Sequence, residues 1–172
     1  VKAGPGGERT RLRPVTEHDL DLLAAWFAAP AFVEHWGGVS LTRAEVAEKY
    51  LGPRRPEVES YLILERPDDG PVGYIQYWRT AADARSGGID MVLAPSAQGR
   101  GLGPDAASAL AAHLCAELGW SRVTADPDAA NERAVRAWRK AGFREVARDG
   151  STVLMEYQSA ADPSCPDATL PA

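Results

Sequence analysis

Cysteine is scarce. Cys115 and Cys165 are the only two among 172 residues, and their spacing makes neither a metal or redox pair nor a disulfide framework. Histidine is as thin: His18, His35 and His113 are scattered, with no His-x-x-x-His on a helical stretch, so no metal site is expected. No run of ~18 apolar residues occurs, which argues against a spanning helix. The opening stretch VKAGPGGERT has no apolar signal region, so a cytoplasmic location without a membrane partner is expected. Excess basic charge is also missing. Nineteen Lys and Arg stand against 24 Asp and Glu, a net charge of −5, which speaks against a nucleic-acid surface and is compatible with a cationic partner.

What is present suffices for one domain. The chain is 45% hydrophobic, enough for a single core at this length. Residues 1–8 are Gly-rich and read as a flexible N-terminus, 9–158 as the folded domain, and 159–172, which lacks a core pattern, as a disordered tail. Arg9–Val15 reads as a strand with Pro14 at its end or on an edge. Thr16 can cap a helix whose stripe is Leu20, Leu23 and Phe27, ended by Pro30. Glu34–Gly38, "EHWGG", is a loop. Thr42 and Glu45 form a capping box for a helix to about Leu51, and Gly52–Glu57 breaks the chain. Ser60–Glu65 and Val72–Thr80 flank a turn-rich link and predict an antiparallel hairpin. "GGIDMVLA" predicts a strand, Ala106–Leu118 a helix, Arg122–Asp126 a short strand, and Asn131–Ala141 a helix stopped by Gly142. "TVLMEYQ" predicts the last strand. This order gives an α/β (α+β) fold, a mixed sheet with helices on its faces.

Between the GGIDMVLA strand and the next helix stands "QGRGLG", Gln98–Gly103. Glycines let the backbone turn sharply and let a ligand reach the amides, and the following helix end attracts phosphate. A plain tight turn is the competing reading. Pro104 suits the first helical position. The Lys-Ser/Thr ending of a nucleoside-triphosphate loop is missing, and the strand order does not fit a dinucleotide fingerprint.

Gln98-Gly99-Arg100-Gly101-Leu102-Gly103 resembles the acetyl-CoA pyrophosphate loop of the GCN5-related (GNAT) N-acetyltransferases. "NERAVRAWRKAGF", Asn131–Phe143, resembles that family's later helix. The resemblance implies a mostly antiparallel sheet splayed at the acetyl-CoA site. Met91 and Leu93 would pair with the pantetheine arm, Gln98 to Gly103 would hold the pyrophosphate, and Asn131, Ala134 and Trp138 would line the opposite side. A backbone N–H near Val92 would stabilise the oxyanion of direct aminolysis, with no metal. Many family members carry Tyr where Trp138 stands; an indole N–H donates but is no practical acid, which leaves open what protonates the departing thiolate.

"EHWGG", "GID" and "ADPDAAN" together are similar to the aminoglycoside 6′-N-acetyltransferases. That similarity implies antibiotic resistance by acetylation of a cationic small-molecule amine, with Asp90 as general base, Asp126 holding ammonium groups, and Trp36 walling the acceptor pocket. For each there is a plainer reading: a solvated strand acid, a turn-starting Asp before Pro, and a loop packed on the core. Tyr74, Gln76 and Trp78 share one strand face, either lining the acceptor or forming sheet surface. Alternative acceptors are a siderophore precursor of the hydroxylysine type, a polyamine or a protein N-terminus. A non-catalytic acyl-CoA sensor is the alternative of another class. A monomer or homodimer is compatible with all of these.

Overall fold

The computed structural model describes residues 4–51, 57–80 and 82–158. The chain break expected at 52–56 and the tail expected at 159–172 lie outside them. Strand β1 (Thr10–Pro14) leads through a single 3₁₀ turn into helix α1 (Leu20–Ala28). Thr16 starts this turn as its sequence predicts, its N–H donating to Asp19 Oδ2 at 2.8 Å. Pro30 ends α1 but also opens α2 (Pro30–Val33), because the first helical position needs no N–H. Helix α3 (Arg43–Val46) has the predicted capping box, Glu45 N–H donating to Thr42 Oγ1 at 3.3 Å and Thr42 N–H to Glu45 at 2.7 Å. It continues as a wider turn to Leu51.

The predicted hairpin is β2 (Val58–Glu65) and β3 (Gly70–Arg79), and β3 pairs onward with β4 (Ser86–Leu93). Helix α4 (Leu102–Ala116), strand β5 (Arg122–Ala125), helix α5 (Glu132–Lys140) and strands β6 (Phe143–Asp149) and β7 (Thr152–Tyr157) follow. The seven strands form one sheet in the order β1-β2-β3-β4-β5-β7-β6, in which only β4 and β5 are parallel neighbours.

Strand alternation divides the core between the two faces. Ile63, Ile75, Tyr77 and Ile89 face α4 and α5, where they meet Leu110, Leu114 and Val135. Leu62, Leu64 and Tyr74 face α1 and α3, meeting Leu23, Phe27 and Val46. Every one of these side chains is below a tenth exposed, so the sheet is covered on both sides.

Two elements, α4 and β6, differ from the sequence-based expectation. Helix α4 starts at Leu102, so Pro104 is its third residue, still inside the first turn where no intrahelical N–H is needed. The helix ends at Ala116, which leaves Leu118 off the stripe and 40% exposed. Strand β6 was not expected: only Phe143 in it is buried, so this edge strand has no apolar alternation to betray it. No helix among the described residues is long and apolar enough to cross a membrane.

Candidate active site

Strands β4 and β5 pair only at Ser86–Gly88 with Arg122–Thr124. From Ile89 to Leu93, β4 keeps β3 as partner while β5 turns to β7 at Thr124 and Ala125. A gap therefore opens beside Ile89–Leu93. Ladder alternation tells which amides face it. Ala94 N–H donates to the Val72 carbonyl and Thr80 N–H to the Ser86 carbonyl, both at 2.9 Å, which puts the even-numbered residues of β4 in hydrogen-bonded pairs with β3. The Val92 N–H thus points at β3, and the N–H groups facing the gap belong to Met91 and Leu93. Val92, where the donor was expected, has its N–H turned away from the gap, and its neighbours Met91 and Leu93 supply the N–H groups that face it.

At the end of β4 the glycine turn is built by backbone needs. Gly99 and Gly101 have φ of 75° and 80°, a left-handed conformation that glycine adopts without strain. Gly101 caps α4. A Cβ on Gly103 would come within 3.2 Å of Met91 Cε and 3.3 Å of Leu93 Cδ1, so glycine there lets the helix start lie close against the strand. Gln98 Nε2 donates to the Leu93 carbonyl at 3.2 Å and braces the link. The result is a run of amides beside a helix N-terminus, which fits a diphosphate. Arg100 and Leu102 contribute backbone only: Arg100 pairs with Glu65, and Leu102 is buried at 3% exposure. Arg9 Nη1 supports the turn by donating to the Arg100 carbonyl at 3.1 Å.

Two cavities meet along the gap. The first, about 380 Å³, is bordered by Met91, Val92 and Leu93, by Gln98, Gly99, Gly101 and Gly103, and by one face of α5. The second, about 440 Å³, is bordered by Trp36, Asp90, Asp126, Asp128 and Trp138. Glu34, His35, Met91, Asn131 and Ala134 border both, so the two are halves of one groove. Their charges are opposite. On α5 the first half presents Arg133, Arg136 and Lys140; the second presents Asp90, Asp126 and Asp128 with no Lys or Arg, and Glu34 stands where the two meet. Burial holds the Asp126 carboxyl above the usual range, although the residue itself opens to solvent.

Sequence-predicted residues take distinct places here. Asp90 and Asp126 come together in the acidic half. Trp36 borders it while its Nε1 donates to Tyr50 Oη at 2.8 Å, so it is both wall and core packing. Trp138 borders the acidic half rather than the glycine turn, and it packs edge-on against Phe143 with centroids 5.0 Å apart. Asn131 caps α5, its oxygen accepting from Ala134 N–H at 3.1 Å, which leaves its amino group for a ligand. Tyr74, read as an acceptor contact, is fully buried. Its hydroxyl is bonded to Ser60 and Gln76, one layer behind Asp90.

Reading the sequence did not single out Glu34, His35, Asp128, Arg133, Arg136 or Lys140. The three cations had a detectable signal: their spacing of three and four residues places them on one helix face. Among the described residues no group of three His, Cys, Asp or Glu could hold a metal ion.

A sheet opened between parallel strands, with an amide cradle and cations on one side and acids on the other, suits an anionic nucleotide donor and a cationic acceptor. Residues 9–144 match the Acetyltransferase (GNAT) domain. The aminoglycoside N(6′)-acetyltransferase type 1 of Klebsiella pneumoniae is 34% identical over 163 residues, covering 84% of this chain and 80% of the relative; that of Serratia marcescens matches equally. The structure of AAC(6′)-Ib in complex with parmomycin and acetyl-CoA superposes with a TM-score of 0.77 at 31% identity, over 87% of this chain and 93% of that one. The chain belongs to the GNAT acetyltransferase family.

Proposed function

We propose that this protein transfers the acetyl group of acetyl-CoA directly to the 6′-amino group of an aminoglycoside, and so confers resistance to it. The observation that carries this reading is the polarity of the groove: amides and three cations on one arm, three aspartates on the other, meeting at Glu34, Met91, Asn131 and Ala134. The relatives at 34% and 31% identity are aminoglycoside acetyltransferases, which favours an aminoglycoside over other polycations.

Acetyl-CoA supplies the activated acyl group as a thioester. The chain's own part is to place and to deprotonate. Amides of the 99–103 turn and the α5 cations hold the phosphates, and the Met91 N–H faces the position of the thioester oxygen, where negative charge develops. Asp126, Asp128 and Glu34 hold ammonium groups of the acceptor. Asp90 takes the proton from the reacting ammonium, since an amine attacks only when neutral. Trp138 has no acidic proton to give; the second proton, shed by the nitrogen as the C–S bond breaks, can go to the departing thiolate.

The test is thiol release by purified protein with acetyl-CoA and kanamycin, followed by mapping the acetylated nitrogen. Acetylation at the 6′ position is expected. Release with spermidine or a hydroxylysine-type siderophore precursor but with no aminoglycoside would replace the acceptor. Tight acetyl-CoA binding without release to any amine would replace the enzyme by a sensor.

A further inference from the structure

Behind Asp90 lies a line of buried polar side chains that the proposed chemistry does not itself use. Ser60, Gln76 and Asp90 face one another across β2, β3 and β4, because Ser60 is in register with Gln76 and Gln76 with Asp90. Tyr74, two residues before Gln76 on β3, shares their face. Ser60 Oγ and Tyr74 Oη are 2.7 Å apart; Tyr74 Oη donates to Gln76 Oε1 at 2.9 Å; Gln76 Nε2 donates to Asp90 Oδ2 at 2.9 Å. Tyr74 is fully buried, and Ser60 and Gln76 are each 7% exposed.

The line has one direction. A phenol has a single proton. Since Tyr74 gives it to Gln76, the Ser60 hydroxyl must give its own to Tyr74. A Gln amide can be turned end for end, but here the turned form would set its carbonyl against the Asp90 carboxylate, which has no proton to give. Asp90 therefore fixes which end of Gln76 meets it, and the Oε1 on the far side accepts from Tyr74. Bonds in such a chain polarise one another in the same sense, and the last of them falls on an anion, where a hydrogen bond is strongest. Gln76 has no ionisable proton, so the line orients and does not conduct; the proton taken by Asp90 must leave on the cavity side.

We propose that Gln76 is a positioning residue for Asp90, with Tyr74 and Ser60 bracing its amide from behind. This rests on the reading of Asp90 as the base. The test compares wild type with Gln76→Leu, Gln76→Glu and Tyr74→Phe. Gln76→Leu removes the donor. Gln76→Glu keeps the shape and the acceptor for Tyr74 but sets a second carboxylate oxygen against Asp90. Gln76→Leu is expected to lower kcat by about tenfold or more, as misplacement of a reacting group does, with the KM for acetyl-CoA within about twofold. Gln76→Glu should lose at least as much, and Tyr74→Phe less. A crystal structure of Gln76→Leu should show the Asp90 side chain turned from its wild-type rotamer. Wild-type kcat in Gln76→Leu with Asp90 unmoved would overturn the proposal. So would a loss in which kcat and both KM values worsen together with thermal stability, which would mark Gln76 as packing alone. Absence of thiol release by the wild type, with Asp90 still turned in the variant crystal, would instead fault the proposed function.

Discussion

Thr10 Oγ1 donates to a carboxylate oxygen of Asp105 at 2.6 Å, joining the first strand to the first turn of α4. The same carboxylate accepts the N–H groups of Thr10 at 2.9 Å, Glu8 at 3.0 Å and Arg9 at 3.2 Å. Thr10 is fully buried, so its donors have no water to fall back on. One acid thus anchors the start of the domain and, through Arg9, the back of the glycine turn.

Asp105→Ala is accordingly expected to cost about 2 kcal/mol or more, the penalty for stranding buried donors that had bonded to a charged group. It should also raise the KM for acetyl-CoA, because Arg9 no longer holds the Arg100 carbonyl in place. Urea denaturation and steady-state kinetics check the two effects. Unchanged stability would mean that the anchor is not energetically important.

Asp126 carries a second prediction. Burial holds its carboxyl above the ordinary value, so it takes up a proton at a higher pH than a solvated acid as pH falls. Protonation removes a negative charge from the acceptor cavity. The KM for an aminoglycoside should therefore rise on acidification through this raised pKa, while acetyl-CoA affinity stays level. Asp126→Asn should begin with a KM raised several-fold and lack this part of the pH dependence. The stability sign is opposite. A carboxyl raised above its unfolded pKa opposes folding when ionised, and its relative contribution improves as pH falls. At neutral pH Asp126→Asn is thus expected not to lower Tm. A fall in Tm would show that the carboxylate is structurally favourable.

Much of this arrangement was legible in the sequence, for physical reasons. The hairpin, the strand before Gly99, the capped helices and the Gly142 stop are local: alternation, caps and φ preferences write them into neighbouring residues. Asp90 alternates with Ile89 and Met91, which puts its side chain on the opposite face of the sheet. What was not legible depends on pairing across the sheet. The direction of the Val92 amide follows from the register of β4 on β3, which no local pattern records. Tyr74 has the same alternation as a cavity-lining residue, and only the covering aromatic layer, with Phe27, Trp36 and Tyr50 around its ring, removes it from the surface. Strand β6 is polar and lies at an edge, so period-2 burial never marks it.

The basic face of α5 supports a third expectation. Among the described residues Arg133 and Lys140 have no ion-pair partner, while Arg136 pairs with Glu132 on the exposed side of the helix at 3.2 Å. Replacing Arg136 and Lys140 together by Gln should raise the KM for acetyl-CoA by about tenfold at low salt, and the difference from wild type should shrink as salt is added, because exposed charges are screened over ~10 Å at 0.1 M. The aminoglycoside KM should hardly move. Equal KM values for acetyl-CoA at every salt concentration would remove the α5 cations from the donor site.

Asp90→Asn is the most direct trial of the chemistry. The substitution keeps the shape of the side chain and can keep a bond from Gln76 Nε2 to its carbonyl oxygen, so the sheet around it should be unchanged. What is lost is the ability to accept a proton from the reacting ammonium group. General-base removal is worth about 10²–10⁴-fold, and kcat at neutral pH should fall by at least the lower of these. Acetyl-CoA affinity, measured by calorimetry so that turnover plays no part, should be unaltered, because the donor arm of the groove draws on Met91, Leu93 and the 99–103 turn. Raising the pH should recover part of the rate, since a growing share of the amine then arrives already neutral. A variant that kept its rate across the whole pH range would show that the proton leaves by another route, with Glu34 or His35, which stand where the two cavities meet, as the next groups to replace.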